Sequence, residues 1–208
     1  MNEPIEGPLA LTPLSWAYAD AWAAESAPVS AARARGVALG APPISRGTAG
    51  LLRVLAATKS ASAAVEIGTG SGVTGAAIVA GMDASGILTS IDMEAGYQAI
   101  ARDMFAELGV SHTRVRLIAG RAEDVLPRLS DDAYDFVHIA TGYASPEMIG
   151  EARRLLTDGG VLVVAGALES NRNIADAIRE DEDFLPTMIP VGDGVLVAVR
   201  KREPQQGA

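Results

Sequence analysis

The chain has 208 residues, of which 49% are hydrophobic and 21% charged, which is typical of one folded domain and excludes a disordered protein. It contains no cysteine, so disulfides, thiolate metal sites and a cysteine nucleophile are excluded. The formal net charge of −9 makes nucleic acid and anionic membrane surfaces poor partners.

Neither a targeting signal nor a membrane span is apparent in the sequence. Residues 1–10 carry Glu3 and Glu6 and no basic residue, unlike a secretory signal. The most apolar stretch, Ala63–Met82, contains Glu66 and several glycines, which favour a strand, a loop and a short helix over a membrane span. We therefore expect a cytoplasmic protein with no membrane partner.

Short apolar runs alternate with helical segments from about residue 62 onward. The predicted strands are Ala64–Ile67, Ile87–Ile91, Val115–Ala119, Tyr134–Ala140 and Val161–Ala165. The predicted helices between them are Val73–Ala80, Ala95–Leu108, Ala122–Leu129 and Pro146–Leu156. Because such alternation implies right-handed crossovers, we predict a doubly wound α/β fold whose parallel sheet is covered on both faces.

Both ends of the chain depart from this alternation. Phe184–Val191 and Val195–Arg200 flank a Gly-Asp-Gly turn, which predicts an antiparallel hairpin that closes the sheet. Three N-terminal helices are predicted at Pro13–Glu25, Ser30–Leu39 and Arg46–Ala57. We expect a single domain with a helical cap over 1–60, a Rossmann-like core over 61–200 and a polar tail over 201–208. The N-terminal helices either cap the ligand crevice or simply pack against the sheet.

A glycine-rich loop follows the first predicted strand, with glycines at positions 68, 70, 72 and 75. Glycines there allow tight turns and close approach of a ligand, and the next helix N-terminus offers free N–H groups to an anion. Asp92 ends the second predicted strand, where a carboxylate can accept both hydroxyls of a ribose. Together these features predict a nucleoside-bearing cofactor.

The identity of that nucleoside is left open between two cofactors. The segment 70–75 satisfies the dinucleotide pattern G-x-G-x-x-G, and Asp92 lies at about the expected distance, as in NAD-dependent oxidoreductases. However, Glu66 lies within the end of the strand. A carboxylate there suits the sulfonium and ammonium groups of S-adenosylmethionine better than the two phosphates of NAD.

The segments 66–72, 90–93 and 120–124 resemble the class I S-adenosylmethionine-dependent methyltransferases, and more narrowly the catechol and caffeoyl-CoA O-methyltransferase group, especially its small bacterial members. The resemblance covers roughly residues 44–200. It implies a seven-stranded Rossmann-like sheet whose last strand is antiparallel. The cofactor-binding residues that it implies are Ile44, Glu66, Gly68, Thr69, Gly70, Thr74, Asp92, Met93, Arg121, Ala122 and Ala140.

By the same resemblance, Thr74 would hold the cofactor carboxylate, Asp92 the ribose hydroxyls, and Met93 would pack on the adenine. Glu66 would bind or order the methionine end from beneath the glycine loop. Arg121 and Ala122 would contact the adenine edge. Core packing is the alternative for Met93.

The resemblance also implies a divalent metal that this sequence does not support. The family's ligands are an aspartate after the fourth strand and an Asp-Asn pair after the fifth, but Ala140, Gly166 and Ala167 stand there. We therefore expect no bound metal. Tyr143 replaces the family's lysine and is a candidate for orienting an acceptor hydroxyl, although it is equally an exposed loop residue. His138 is a candidate base or, alternatively, a buried core histidine.

We therefore predict an S-adenosylmethionine-dependent O-methyltransferase that acts on a hydroxyl of a small molecule without a metal and releases S-adenosylhomocysteine. One alternative is a binding protein for these two compounds that has no turnover; another is an NAD-dependent oxidoreductase. A homodimer is implied only by the resemblance. Glu169 and Asn171, after the fifth strand, either face the crevice or cap the next helix.

Overall fold

The computed structural model describes residues 12–202, arranged around one seven-stranded sheet of order β3-β2-β1-β4-β5-β7-β6. The strands are β1 Ala63–Ile67, β2 Ile87–Asp92, β3 Val115–Ala119, β4 Tyr134–Ile139, β5 Leu156–Ala165, β6 Phe184–Ile189 and β7 Val195–Arg200. The helices are α1 Pro13–Ala21, α2 Ala27–Ala38, α3 Arg46–Lys59, α4 Val73–Gly81, α5 Ala95–Glu107, α6 Ala122–Val125, α7 Pro146–Leu155 and α8 Arg172–Arg179. Residues 1–11 and most of the predicted tail, 203–208, lie outside the described residues.

Strands β1 to β5 are parallel, and β7 runs antiparallel to both of its neighbours, β5 and β6. This confirms the predicted sheet and its terminal hairpin. Alternate residues of the central strands point to opposite faces, so two apolar layers form. One layer packs with α6, α7 and α8 and contains Val65, Ile67, Val137 and Ile139. The other packs with α3, α4 and α5 and contains Ala64, Leu88, Phe136 and Val163.

Several predicted elements have different bounds; α1 ends at Ala21 and not at Glu25, and α2 begins at Ala27 and not at Ser30. Helix α6 stops at Val125 and continues only as a 3-10 turn, Leu126–Arg128, because Pro127 cannot donate to an α-helical ladder. Strand β5 begins at Leu156, earlier than expected, since Leu156 pairs with Tyr134 across a register shift in β4. Helix α8 was not given bounds by the sequence pattern, although a helix was expected after residue 171.

The N-terminal helices pack on the same face of the sheet as α4 and α5. Helix α2 lies against α5, and α3 lies against α4. The side chain of Arg33 on α2 connects this layer, donating from Nε to Glu25 Oε1 at 3.0 Å and from Nη1 to the Ile44 carbonyl at 2.5 Å. The segment between α2 and α3 is therefore held by a largely buried ion pair. Among the described residues, no helix combines the length and the apolar character that a bilayer crossing requires.

Close packing of α3 on α4 depends on the glycine that ends α4. A Cβ added at Gly81 would overlap the carbonyl oxygen of Arg53 on α3. Backbone cannot move aside as a flexible side chain does, so overpacking here is costly.

We expect Gly81→Ala to lower the free energy of unfolding by about 1–3 kcal/mol. Gly150→Ala is the matched control, because Gly150 lies in α7 and a Cβ there would meet no atom within 4 Å. The control should raise the free energy of unfolding by up to about 1 kcal/mol through helix propensity. Urea denaturation measures both, and equal effects of the two substitutions would contradict the proposed contact.

Candidate functional site

The loop between β1 and α4 needs glycine for its backbone shape and for its close contacts. Gly68, Gly70 and Gly72 have φ angles of 97°, 50° and 88°, in the region that side chains disfavour. A Cβ at Gly68 would lie 3.0 Å from Thr141 Cγ2, and a Cβ at Gly72 would lie 2.8 Å from the Cβ of Ala101. The loop therefore packs closely between the segment after β4 and helix α5.

A chain of hydrogen bonds fixes this loop to the sheet. Ser90 Oγ on β2 donates to Glu66 Oε2 on β1 at 2.5 Å. Because the Ser90 proton is used in that bond, Thr69 in the loop donates to Ser90 Oγ, at 2.7 Å. Glu66 therefore orders the glycine loop through Ser90.

Glu66 is completely buried, so ionisation of its carboxyl group is unfavourable. Burial raises the pKa of Glu66 to about 7; hydrogen bonds from Ser90 and Thr74 lower the pKa, and the charge of Asp92 raises it. Among the described residues, Oε1 of Glu66 has no hydrogen-bond partner. A positive ligand charge nearby would favour the ionised form of this carboxyl.

Asp92 ends β2 beside the same loop. The N–H of Gly70 donates to Asp92 Oδ2 at 2.9 Å, and the N–H of Glu94 donates to Oδ1 at 2.9 Å. Each carboxylate oxygen keeps a second lone pair. The backbone thus holds Asp92 in one orientation in which two further hydroxyl groups can be bound.

Two adjoining cavities open at the carboxyl ends of β1, β2 and β4. The first, here called the loop cavity, has a volume of about 330 Å³ and is lined by Ala41, Pro42, Pro43, Ile44, Gly68, Thr69, Gly70, Ser71, Val73, Thr74, Asp92, Tyr97, Ala140, Thr141 and Gly142. The second, the Arg121 cavity, has about 340 Å³ and is lined by Ile67, Gly68, Ile91, Asp92, Met93, Gly120, Arg121, Ala122, Glu123, Thr141, Tyr143 and Met148. Gly68, Asp92 and Thr141 line both cavities.

All residues predicted to bind the cofactor line one of these cavities except Glu66. Ile44, Thr69, Gly70, Thr74 and Ala140 line the loop cavity, as do the shared Gly68 and Asp92. Met93, Arg121 and Ala122 line the Arg121 cavity. Glu66 instead lies behind the lining, where it orders Thr69 through Ser90.

The two candidate catalytic residues are placed differently. Tyr143 is 68% exposed and lines the Arg121 cavity. His138 is fully buried, lines neither cavity and is paired in register with Glu66 on β1. Its Nδ1 lies 3.1 Å from the Val163 carbonyl oxygen, and burial lowers its pKa to about 4, so the ring is neutral near pH 7. His138 is therefore not placed where a base could reach an acceptor, because the sheet encloses it.

The positions of the family's metal ligands do not fit a divalent cation. Ala140 has no ligating side chain, and Ala167, which has none either, is buried. Gly166 has φ 67°, and a Cβ there would lie 2.8 Å from Ser170 Oγ. Within residues 12–202, no group of three or more His, Cys, Asp or Glu side chains is arranged to hold a metal.

Several residues at the site were not found from the sequence. Ser90 joins Glu66 to the glycine loop, and Tyr97 adds an aromatic wall to the loop cavity. Ser71 also lines this cavity; it is 2% exposed, and its Oγ has no hydrogen-bond partner among the described residues. The strand register was the available signal for Ser90, since Ser90 is paired with Glu66 in neighbouring parallel strands.

Known proteins resemble this chain in sequence and in structure. A model of a methyltransferase domain matches residues 65–165. A protein of Mycobacterium sp. (strain KMS) named "Putative O-methyltransferase" is 43% identical over an alignment of 200 positions, which covers 88% of this chain and 91% of the mycobacterial protein.

Two crystal structures share the fold of this chain. A protein from Corynebacterium glutamicum has a TM-score of 0.82 and 29% identity, with 91% of this chain and 96% of that chain covered. The O-methyltransferase TomG from Streptomyces achromogenes, solved in complex with SAM, has a TM-score of 0.80 and 25% identity, with 92% and 100% covered.

The fold and the matched domain define a class I methyltransferase. More narrowly, the chain belongs to the O-methyltransferase family of its mycobacterial relatives. The resemblance found in the sequence is thereby confirmed.

The raised pKa of Glu66 makes stability depend on pH. The folded state holds this proton more tightly than the unfolded chain does, so stability is lost as pH rises from about 4.5 to about 7. Glu66→Gln keeps the shape of the side chain and removes the titration. We expect the unfolding free energy of the variant, relative to the native chain, to rise by on the order of 3 kcal/mol across this range.

Urea denaturation at several pH values between about 5 and about 8 measures this difference. Glu107→Gln is the control, since Glu107 is exposed at the end of α5. Its difference from the native chain should stay within about 0.5 kcal/mol. A pH-independent difference for Glu66→Gln would show that Glu66 is not protonated in the folded protein.

Proposed function

We propose that this protein transfers a methyl group from S-adenosylmethionine to a hydroxyl group of a small molecule, and does so without a bound metal. The observation that carries the proposal is the joint placement of Asp92, Glu66 and the glycine loop around two adjoining cavities. The family relationship supports the same reaction class, and TomG, a solved relative of this fold, was crystallised with SAM.

The residues present fit the parts of this cofactor. Asp92 would bind the ribose hydroxyls with the lone pairs that the Gly70 and Glu94 N–H groups leave free. Thr74, in the first turn of α4, would hold the carboxylate, where N–H groups of the helix start add positive potential. The adenine would lie in the Arg121 cavity against Met93 and Ala122.

Charge favours this cofactor over NAD. Asp92 is the only charged residue in the described lining of the loop cavity, and the Glu66 carboxyl lies directly behind it. An acidic surrounding of this kind attracts a sulfonium and an ammonium group and repels a pyrophosphate. When bound, S-adenosylmethionine supplies an electrophilic methyl carbon, and the sulfur leaves as an uncharged thioether.

The remaining walls of the loop cavity suit alignment of an acceptor. Pro42, Pro43, Ile44 and Ala140 present apolar surface that excludes water beside the glycine loop. In-line displacement depends on holding the acceptor oxygen close to the methyl carbon and opposite the sulfur. Tyr143 lies on the exposed side of the adjoining Arg121 cavity and is the proposed orienting group for the acceptor hydroxyl. The hydroxyl proton passes to bulk water as the new oxygen–carbon bond forms.

The proposal includes a cytoplasmic location and a homodimer. Helix α1 supports association with a second copy, because it buries none of its side chains and exposes Leu14 and Tyr18, next to the exposed Trp22 that follows it. A second candidate function is binding of S-adenosylmethionine or S-adenosylhomocysteine without turnover. Two observations favour this candidate: the sheet encloses His138, and no side chain at the metal-ligand positions can bind a metal.

Calorimetric titration with S-adenosylmethionine and S-adenosylhomocysteine, with magnesium and with a chelator, tests the cofactor. We expect micromolar binding that is the same in both conditions. Transfer of labelled methyl to a panel of hydroxylated small molecules then separates the two functions. Binding with transfer supports the enzyme, binding without transfer to any acceptor supports the silent protein, and a magnesium requirement contradicts the metal-free assignment.

We expect Asp92→Asn to weaken binding of S-adenosylhomocysteine by about 10-fold to 100-fold, because the amide leaves a buried ligand hydroxyl without its acceptor. Asp124→Asn is the matched control, since Asp124 is exposed on α6 and lines neither cavity. Calorimetry should give the native affinity for the control. If Asp92→Asn also bound with native affinity, the ribose assignment would be wrong.

A further inference from the structure

Asn171 joins the ends of two neighbouring strands through its side-chain amide. The residue is 1% exposed and stands at the start of α8. Its Nδ2 donates to the carbonyl of Ala165, the last residue of β5, at 2.8 Å, and to the carbonyl of Thr141, just after β4, at 3.0 Å. Its Oδ1 accepts from the N–H of Ala144 at 2.8 Å. Both N–H groups and the oxygen of the amide are therefore engaged.

Asn171 does not act as an ordinary helix cap. Its side chain makes no capping hydrogen bond to the N–H groups of α8. The amide is turned away from its own helix toward the loop between β4 and α7. The interpretation of this residue as a cap for the next helix is thus not supported by its contacts.

The loop that Asn171 holds forms the boundary between the two cavities. Thr141 lines both of them, and a Cβ at Gly68 would lie 3.0 Å from Thr141 Cγ2. Thr141 Oγ1 also donates to the carbonyl of Tyr143 at 2.6 Å. A shift of this loop would therefore displace the glycine turn and Tyr143 together.

The amide lies beside the positions of the missing metal ligands. Thr141 and Ala165 directly adjoin Ala140 and Gly166, two of the positions that lack metal-ligating side chains. Two carbonyl oxygens that converge on one point need a positive group between them, and hard cations use such oxygens as ligands. Here the two N–H dipoles of Nδ2 occupy that point.

We propose that the side-chain amide of Asn171 replaces a divalent cation in joining the ends of β4 and β5, and that Asn171 is thereby a positioning residue for the cofactor and acceptor sites. The positioning part rests on the proposed function. The crosslink itself does not, because it is a feature of the chain without ligand.

Asn171→Asp tests the crosslink, since it keeps the shape of the side chain and removes both donors. Its carboxylate would face the carbonyls of Thr141 and Ala165, which makes an oxygen set for a cation. Asn173→Asp is the matched control, because Asn173 is exposed two residues later on α8. Thermal unfolding of all three chains is measured at equal ionic strength in EDTA, in calcium and in magnesium.

We expect the native chain and Asn173→Asp to have the same melting temperature in all three solutions. Asn171→Asp should melt about 5 °C lower in EDTA, from the loss of buried hydrogen bonds. It should recover most of that loss in calcium or magnesium. Any one of three results would overturn the proposal. These are an unchanged melting temperature of Asn171→Asp in EDTA, no recovery of that temperature with either cation, or a native chain that melts at a lower temperature in EDTA than with a cation.

A measurement on the native chain keeps the proposal testable if Asn171→Asp does not fold. Hydrogen exchange of the Ala144 amide, which donates to Asn171 Oδ1, should be slow and equal in EDTA and in magnesium. Fast exchange in either solution would overturn the crosslink.

The positioning role has its own readout. In EDTA, Asn171→Asp should bind S-adenosylhomocysteine about tenfold more weakly than the native chain, and either cation should restore the affinity. A lowered melting temperature with native affinity would show a purely structural residue and overturn this part. If the native chain binds no S-adenosylhomocysteine, the proposed function fails, while unfolding and exchange still decide the crosslink.

Discussion

The arrangement at the carboxyl ends of β1 and β2 depends on how the buried carboxyl group of Glu66 is satisfied. Ser90 donates to one oxygen, and this bond leaves Ser90 free to accept from Thr69, so a single carboxyl fixes the glycine loop to the sheet. The other oxygen has no partner among the described residues. Burying the group raises its pKa to about 7, so the site is built at a cost to stability. Such costs are typical of functional sites.

The N-terminal part of the chain completes the loop cavity at the carboxyl ends of the strands. Pro42, Pro43 and Ile44 form a wall of the loop cavity, although they precede β1 in the chain. Arg33 holds this wall by its bond to the Ile44 carbonyl, and Glu25 in turn orients Arg33. The sequence left two roles for the N-terminal helices, capping the crevice and packing on the sheet. In the structure α2 and α3 pack mainly on α5 and α4, and the segment between them lines the loop cavity. Packing of α2 on α5 positions the segment that covers the glycine loop.

The sequence predicted those parts of the site that depend on chain order alone. Glycines after one strand and Asp92 at the end of the next necessarily meet, because parallel strands end at the same edge of a sheet. Contacts set by side-chain direction were not predicted. Glu66 was expected to bind or to order the methionine end of the ligand, and its place behind Thr69 fits only the ordering role. His138 is enclosed by the sheet, which is the core alternative that the sequence left open. Asn171 reaches Thr141 across 30 positions, and no local pattern specifies such a contact.

Under the proposed function, the ligand of the loop cavity loses a positive charge when its methyl group is transferred. The described lining of this cavity contains Asp92 and no cationic side chain, and Glu66 lies close behind. These carboxyl groups therefore favour the sulfonium state over the thioether product. Ala140 and Gly166 offer no side-chain ligand for a Lewis acid. This preference holds the cofactor in its reactive form but does not itself speed the transfer, so under this proposal the rate depends on alignment of the acceptor between fixed walls, which Asn171 keeps together.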